Sequence, residues 1–389
     1  MTDRETRIIH AGSDVPSNVA PVTTPIFATT TFSFADAASL EAFQRGESGQ
    51  YIYSRYANPT VQATEAMIAE AEGAEAAMVV GSGMAATSTA LLGLLSAGDE
   101  VVYGASLYGG TLQLLTNFLH RFGITTRTVP MASLTDPALV CGPKTRVVWF
   151  ESPTNPTLRC VDIAGVAAAC RAHGVISIID NTFASPINQQ PLAMGVDLAM
   201  HSATKYLNGH SDVTAGVVTG SRALIERLAP ARKLLGGILE PASAYALGRG
   251  MKTLGVRMAR HNASAFAVAE WLERQPAVSR VYYPGLASHP DHAIARAQMR
   301  GYGGMVCFEH VDGYAGAVRT FNAVRLFLRA ASLGGVESLC TIPVLTSQYG
   351  LNDAQLAEAG VTPGMLRLSI GLESPDDLIA DLAQALNTR

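Results

Sequence analysis

Between residues 76 and 220, short β-branched runs alternate with segments of helical length: AAMVV, EVVYG, ITTRTV, TRVVWFE, VISIID, VDLAMH and AGVVTG. This rhythm restricts the fold most, because parallel neighbours must be joined by a crossover of about a dozen or more residues, usually a helix. It predicts an α/β fold, a mostly parallel sheet covered by helices. Residues 108–122, rich in Leu, and 163–173, IAGVAAACRAH, are predicted crossover helices. Residues 1–57 differ: Thr, Pro and aromatics without a sustained period (PVTTPIFATTTFSF, GQYIYSRYANPT) suggest an extended N-terminal arm against a neighbouring subunit. Residues 58–250 are expected to form the α/β domain. Residues 251–389, opening with the amphipathic MKTLGVRMARHNASAFAVAEWLERQ, are expected to form a smaller α+β domain with strands near 279–283, 304–309 and 365–370.

Composition narrows the partners. Charged residues are only 15% of the 389, which suggests surface hidden between subunits, against a usual share of about 25%. The balance of 28 Lys+Arg against 32 Asp+Glu leaves −4, too even to grip nucleic acid or an anionic membrane, so a small molecule is the expected partner. Five cysteines without CxxC spacing argue against a disulfide framework or a metal site and for a cytoplasmic location. The opening MTDRETRIIHAG lacks the apolar run of a signal peptide. Residues 76–98 carry no charge over a length that could span a bilayer, but Gly81-Ser82-Gly83 interrupts them, so they read as strand, tight loop and buried helix.

Three places carry chemistry. Gly81-Ser82-Gly83-Met84-Ala85-Ala86 fits GxGxxA between a strand and a helix, where free N–H groups suit a phosphate. A dinucleotide site would also need an acidic residue ending the second strand, whereas Asp99 and Glu100 stand at its start. Lys205, in HSATKYLNGHSD, is one of four lysines beside two dozen arginines, and only an amine can form a Schiff base with an aldehyde. Ser202 and Thr204 flank it with hydroxyls. Asp180 ends the apolar ISIID, where open α/β sheets bind ligands, and with Lys205 it could hold a pyridoxal ring. The bland alternatives are a packing turn, a surface lysine and a helix cap.

Together with these, Tyr53-Ser54-Arg55, Ser106-Leu107-Tyr108-Gly109-Gly110-Thr111, Glu151-Ser152-Pro153-Thr154-Asn155-Pro156, Asp180-Asn181-Thr182, Ser332-Leu333-Gly334-Gly335 and Arg367-Leu368-Ser369 follow one another along nearly the whole chain. This set resembles the Cys/Met-metabolism (trans-sulfuration) family of pyridoxal-phosphate enzymes. The resemblance implies the fold-type I architecture, pyridoxal 5'-phosphate as cofactor, and a homotetramer built as a dimer of dimers with shared active sites. It implies Lys205 as the cofactor-bound base, Tyr108 as the stacking ring and proton carrier, and Asp180 at the pyridine nitrogen. Gly83, Met84, Ser202 and Thr204 would bind the phosphate, with Tyr53 and Arg55 reaching it from the neighbouring subunit. Arg367, Asn155 and Ser332 would take the substrate carboxylate. Glu337 and Ile52 would face the distal end of the substrate.

The family acts at Cβ or Cγ of amino acids that bear sulfur or an activated oxygen. Ile52 stands where an acidic residue usually precedes the YSR tyrosine, Gln113 where arginine is frequent, and Gly110 where methionine γ-lyases carry cysteine. Thr346-Ser347-Gln348-Tyr349 departs from a common Thr-His. The expected activity is γ-elimination on methionine, homocysteine or cystathionine. The alternative is γ-replacement on an O-acylhomoserine, and a non-catalytic pyridoxal-phosphate binder is the reading from another class.

Overall fold

The computed structural model describes residues 3–12 and 21–388. Seven strands, β1 (Ala76–Val80), β2 (Glu100–Gly104), β3 (Thr125–Val129), β4 (Thr145–Glu151), β5 (Ile176–Asp180), β6 (Leu198–His201) and β7 (Gly216–Gly220), form one sheet in the order β1-β7-β6-β5-β4-β2-β3. All seven expected runs are strands. Pairings from β3 through β2, β4 and β5 to β6 are parallel, and β7 is antiparallel to both β6 and β1. Two reversals cancel, so β1 runs with β6. The C-terminal ends of β1, β2, β4, β5 and β6 therefore open at one edge.

Apart from the partly exposed edge strand β3, these strands are mostly apolar because both faces are covered. Val101, Trp149, Ile178 and Leu198 pack on one face with the helix Gly83–Leu94, while Val102, Val148, Phe150 and Ile179 pack on the other with the helix Ile163–Ala172. The uncharged stretch 76–98 is thus β1, a turn and that first helix, and no helix among the described residues is long and apolar enough to cross a membrane.

The second sheet holds β8 (Val278–Tyr282), β9 (Met305–His310), β10 (Leu328–Arg329), β11 (Leu339–Thr341) and β12 (Met365–Ser369), in the order β10-β11-β12-β9-β8. The helix Leu254–Leu272 buries Leu254, Met258, His261, Ala265, Val268 and Leu272, an i, i+4, i+7 stripe that joins the core shared with both sheets. Two features differ from the sequence reading. The arm contains helices Arg4–His10 and Ala37–Gln44, capped by Asp3 and Asp36, which at two turns are too short to display a period. β10 and β11 span two and three residues, too few to alternate.

Arg257 ties the chain just after Lys205 to this framework. It is 3% exposed and donates to the carbonyls of Tyr206 (2.7 Å), Leu207 (3.4 Å) and Gly250 (2.8 Å). Burial without a carboxylate partner pushes its pKa down to about 10. Arg257→Met removes donors from three carbonyls and should cost about 3 kcal/mol of stability. Urea unfolding of the two proteins measures this, and equal midpoints would show the fork to be dispensable.

Candidate active site

The edge where the strands end is roofed by β12 and the loops around it, enclosing a cavity of about 510 Å³. Lys205, Tyr108, Asp180, Gly83, Met84, Ser202, Thr204, Asn155, Ser332 and Arg367 all line it. Residues separated by nearly three hundred positions meet there because the parallel crossovers return every strand end to the same edge.

The phosphate-like end is built by the turn after β1. Ser82 caps the helix Gly83–Leu94 through the Ala85 N–H (3.0 Å), which leaves the Gly83 and Met84 N–H groups of the first turn for a ligand. A Cβ at Gly83 would lie 2.9 Å from Ser202 Cβ, so glycine is what lets the two segments close into a cradle. The Thr204 hydroxyl donates to the Ala215 carbonyl (3.1 Å) and accepts the Ala215 N–H (2.9 Å). Its proton is therefore engaged within the protein.

Asp180 is half-buried at the end of β5, with Oδ1 accepting the Thr182 N–H (3.0 Å) and hydroxyl (2.5 Å). Burial raises its pKa, while Thr182 and the nearby His201 pull it back. The Thr182 hydroxyl oxygen also accepts the Ser202 N–H (2.8 Å), linking the two halves of the site.

Lys205 Nζ donates to Ser332 Oγ at 2.8 Å. Its pKa falls from 10.5 to about 8, chiefly through burial and secondarily through the charge of Arg367. Arg367, 5% exposed in β12, donates to Asn155 Oδ1 (2.9 Å) and the Ser332 carbonyl (3.2 Å), while its Nε is buried with no partner. Ser332 holds a φ of 127°, a conformation that costs of order 1–3 kcal/mol outside glycine.

Tyr108 is 46% exposed and ends the loop after β2. A Cβ at Gly110 would stand 2.6 Å from its ring and 3.0 Å from Met84 Sδ, so the missing side chain lets the ring lie back against Met84.

Four candidates lie outside this cavity. The Arg55 guanidinium sits over Tyr56 at 4.9 Å and Tyr53 at 5.7 Å and donates to the Lys233 carbonyl (2.7 Å). Ile52 belongs to the same arm, its carbonyl accepting from Phe32. Glu337 accepts the Ser211 hydroxyl instead of facing the chamber. Among the lining residues without a role in the sequence reading are Thr182 and Glu151. Glu151 ends β4 as Asp180 ends β5, and the strand-end argument that singles out Asp180 applies equally to it.

A phosphorylated pyridine aldehyde fits this donor set: free N–H groups and a Ser hydroxyl at one end, a carboxylate on the floor, and an amine on the wall. The comparisons agree. A family model for the Cys/Met metabolism PLP-dependent enzymes matches residues 5–387. The chain is 45% identical over 383 residues to the L-methionine gamma-lyase of Pseudomonas putida, covering 98% of this chain and 96% of that one. It is 40% identical over 391 residues to a cystathionine beta-lyase of Lactococcus lactis, covering both chains completely. The crystal structure of metB from Corynebacterium glutamicum superposes with a TM-score of 0.93 at 37% identity, covering 100% of this chain and 98% of that one. The chain belongs to the Cys/Met metabolism family of enzymes that depend on pyridoxal phosphate.

Proposed function

We propose that the chain catalyses γ-elimination on a sulfur amino acid, consuming water and releasing a thiol, ammonia and 2-oxobutyrate. The observation that carries this is the junction at Ser332. Its hydroxyl accepts from the Lys205 amine and its carbonyl from the Arg367 fork, so a base stands beside a carboxylate clamp. The unpartnered Arg367 Nε offers the substrate carboxylate a charge-assisted hydrogen bond. Lys205 Nζ, once neutral, takes the proton from Cα, and the Tyr108 hydroxyl gives one to the sulfur as it leaves Cγ. Pyridoxal phosphate, when bound through Lys205 and held by Asp180, Gly83, Met84 and Ser202, withdraws electrons from the substrate and makes its carbon-bound protons removable.

Among the described residues, Glu151 and Asp180 are the only acids lining the cavity, and both stand on its floor. The wall made by Leu333, Thr346 and Ser347 has no carboxylate for a distal ammonium, which favours methionine or homocysteine over cystathionine. A second reading, γ-replacement on an O-acylhomoserine, is favoured by the Ser347 hydroxyl, buried without a partner and suited to an acyl oxygen. Tyr53 and Arg55, outside their own chain's cavity, would serve that of a second copy.

Incubation with methionine, homocysteine, cystathionine and O-acylhomoserine, with and without added thiol, separates the readings. 2-Oxobutyrate from methionine or homocysteine without added thiol is expected. Thioether formed only from the acyl ester would install the second reading, and an active monomer in light scattering would remove the shared site.

Arg367→Leu should lower kcat/KM by about 100-fold or more, since a hydrogen bond to a charged group is worth about 1.5–3 kcal/mol and a fork supplies two. The visible spectrum should change little. Unimpaired kcat/KM would move the carboxylate site elsewhere.

Lowering a lysine pKa increases its neutral, nucleophilic fraction at a given pH. Uptake of pyridoxal phosphate by the apoprotein should therefore accelerate as pH rises toward about 8 and level off beyond it, rather than climb toward 10.5. Stopped-flow absorbance follows this, and a rate still climbing well past pH 8 would place Lys205 in a wetter setting.

A further inference from the structure

Glu151 has no place in the chemistry described above, yet it is 4% exposed and lines the cavity. It sits at the end of β4 in register with Asp180 at the end of β5, so the two side chains leave the sheet on the same face about 4.8 Å apart at the backbone. None of the ion pairs among the described residues reaches either carboxyl. Glu151 Oε1 accepts the N–H of Tyr108 at 2.6 Å, and the helix that Tyr108 begins has no side-chain cap of its own. This contact is a direct tie from the sheet floor to the loop that presents the Tyr108 ring.

We propose that Glu151 is a positioning residue acting as a neutral carboxylic acid, which fixes the backbone of Tyr108 and leaves Asp180 as the single negative charge on the cavity floor. The proposal rests on the assignment of Tyr108 and Asp180 made above. Two adjacent carboxylates drawn out of bulk water cannot both ionise cheaply, and the proton goes to the one with less support. Asp180 accepts two hydrogen bonds from Thr182 and feels His201, which is held at 3.0 Å by Glu72. Glu151 accepts one backbone N–H. Its pKa is held well above the usual carboxylate range, first by burial and then by Asp180. The other charged or titratable groups facing the cavity are Lys205, Arg367 and Tyr108. Lys205 and Arg367 are bonded to Ser332 and Asn155, with no bond to the floor.

Glu151→Gln keeps the acceptor oxygen and the neutral charge, whereas Glu151→Leu keeps neither acceptor nor shape. The Gln variant should retain kcat within about threefold. The Leu variant should lose kcat on the order of 10- to 100-fold with KM little changed, since a displaced ring harms the reaction more than capture of the carboxylate. Two readouts need no turnover. Infrared difference spectra of wild-type and Glu151→Gln apoprotein at neutral pH should show a protonated carboxylic-acid carbonyl band that the variant lacks. Spectral titration should give the Gln variant the wild-type Kd for pyridoxal phosphate. Absence of that band, or a Gln variant as impaired as the Leu variant, would overturn the proposal, because an ionised Glu151 would then be the working form. Failure of the γ-elimination reading would leave the infrared band and the Kd unaffected.

Discussion

The contact on which the site depends is the one at Ser332, where the two sheets meet. Lys205 reaches it from the first sheet and Arg367 from the second, one on its hydroxyl and the other on its carbonyl. Neither cation has a carboxylate partner, and both are brought out of water, so each has its charged form disfavoured. Ser332 itself sits in a strained backbone conformation. Strain, burial and an unpaired Arg367 Nε all lie within one turn, and each costs stability in the free protein. A carboxylate ligand would relieve the largest of these costs by completing the fork, so the fold holds the site ready at its own expense.

Charge is segregated across the cavity as a consequence of topology. The parallel strands end in Glu151 and Asp180 on the floor, while the second sheet supplies Arg367 on the opposite wall. Burial and then the charge of Arg367 lower the proton affinity of Lys205, while burial and then Asp180 raise that of Glu151. The two ends of the cavity thus shift in opposite directions. Thr182, which hydrogen-bonds both Asp180 and the Ser202 backbone, keeps the acidic floor in register with the phosphate cradle.

The covered strands are legible because strands buried on both faces must be continuously apolar, the edge strand β3 through its β-branched Thr and Val, and the crossover helices because their lengths are set by the sheet. The arm helices at Arg4–His10 and Ala37–Gln44 and the strands β10 and β11 were not, since two turns or two residues contain no full period. Lys205, Asp180 and Gly83 were legible from chemistry, each being a residue type for which no substitute serves. The hydroxyl of Thr204 is legible in the sequence, and only the fold shows that it pairs with both backbone groups of Ala215. Glu151 ends an apolar strand as Asp180 does, so its position is legible by the same argument; its partner, a backbone N–H forty-three residues earlier, is a relation that no local pattern displays.

A physical asymmetry explains why the cofactor end is readable while the leaving-group end is less so. Holding a phosphate, a ring nitrogen and an amino acid carboxylate requires particular functional groups at fixed atoms. The wall that receives the departing group requires mainly room, which small residues from several loops can supply in many combinations. Gly110 shows how this works: a Cβ there would crowd both the Tyr108 ring and Met84 Sδ, so any side chain would displace the ring from its present position. The backbone N–H of the residue that carries this ring is held by Glu151. The ring's placement is therefore set by the space at Gly110 and by the anchored backbone beneath it. That placement fixes where the Tyr108 hydroxyl stands, so under the proposed function the position of this one group, more than a dedicated contact to the leaving group, would govern selectivity.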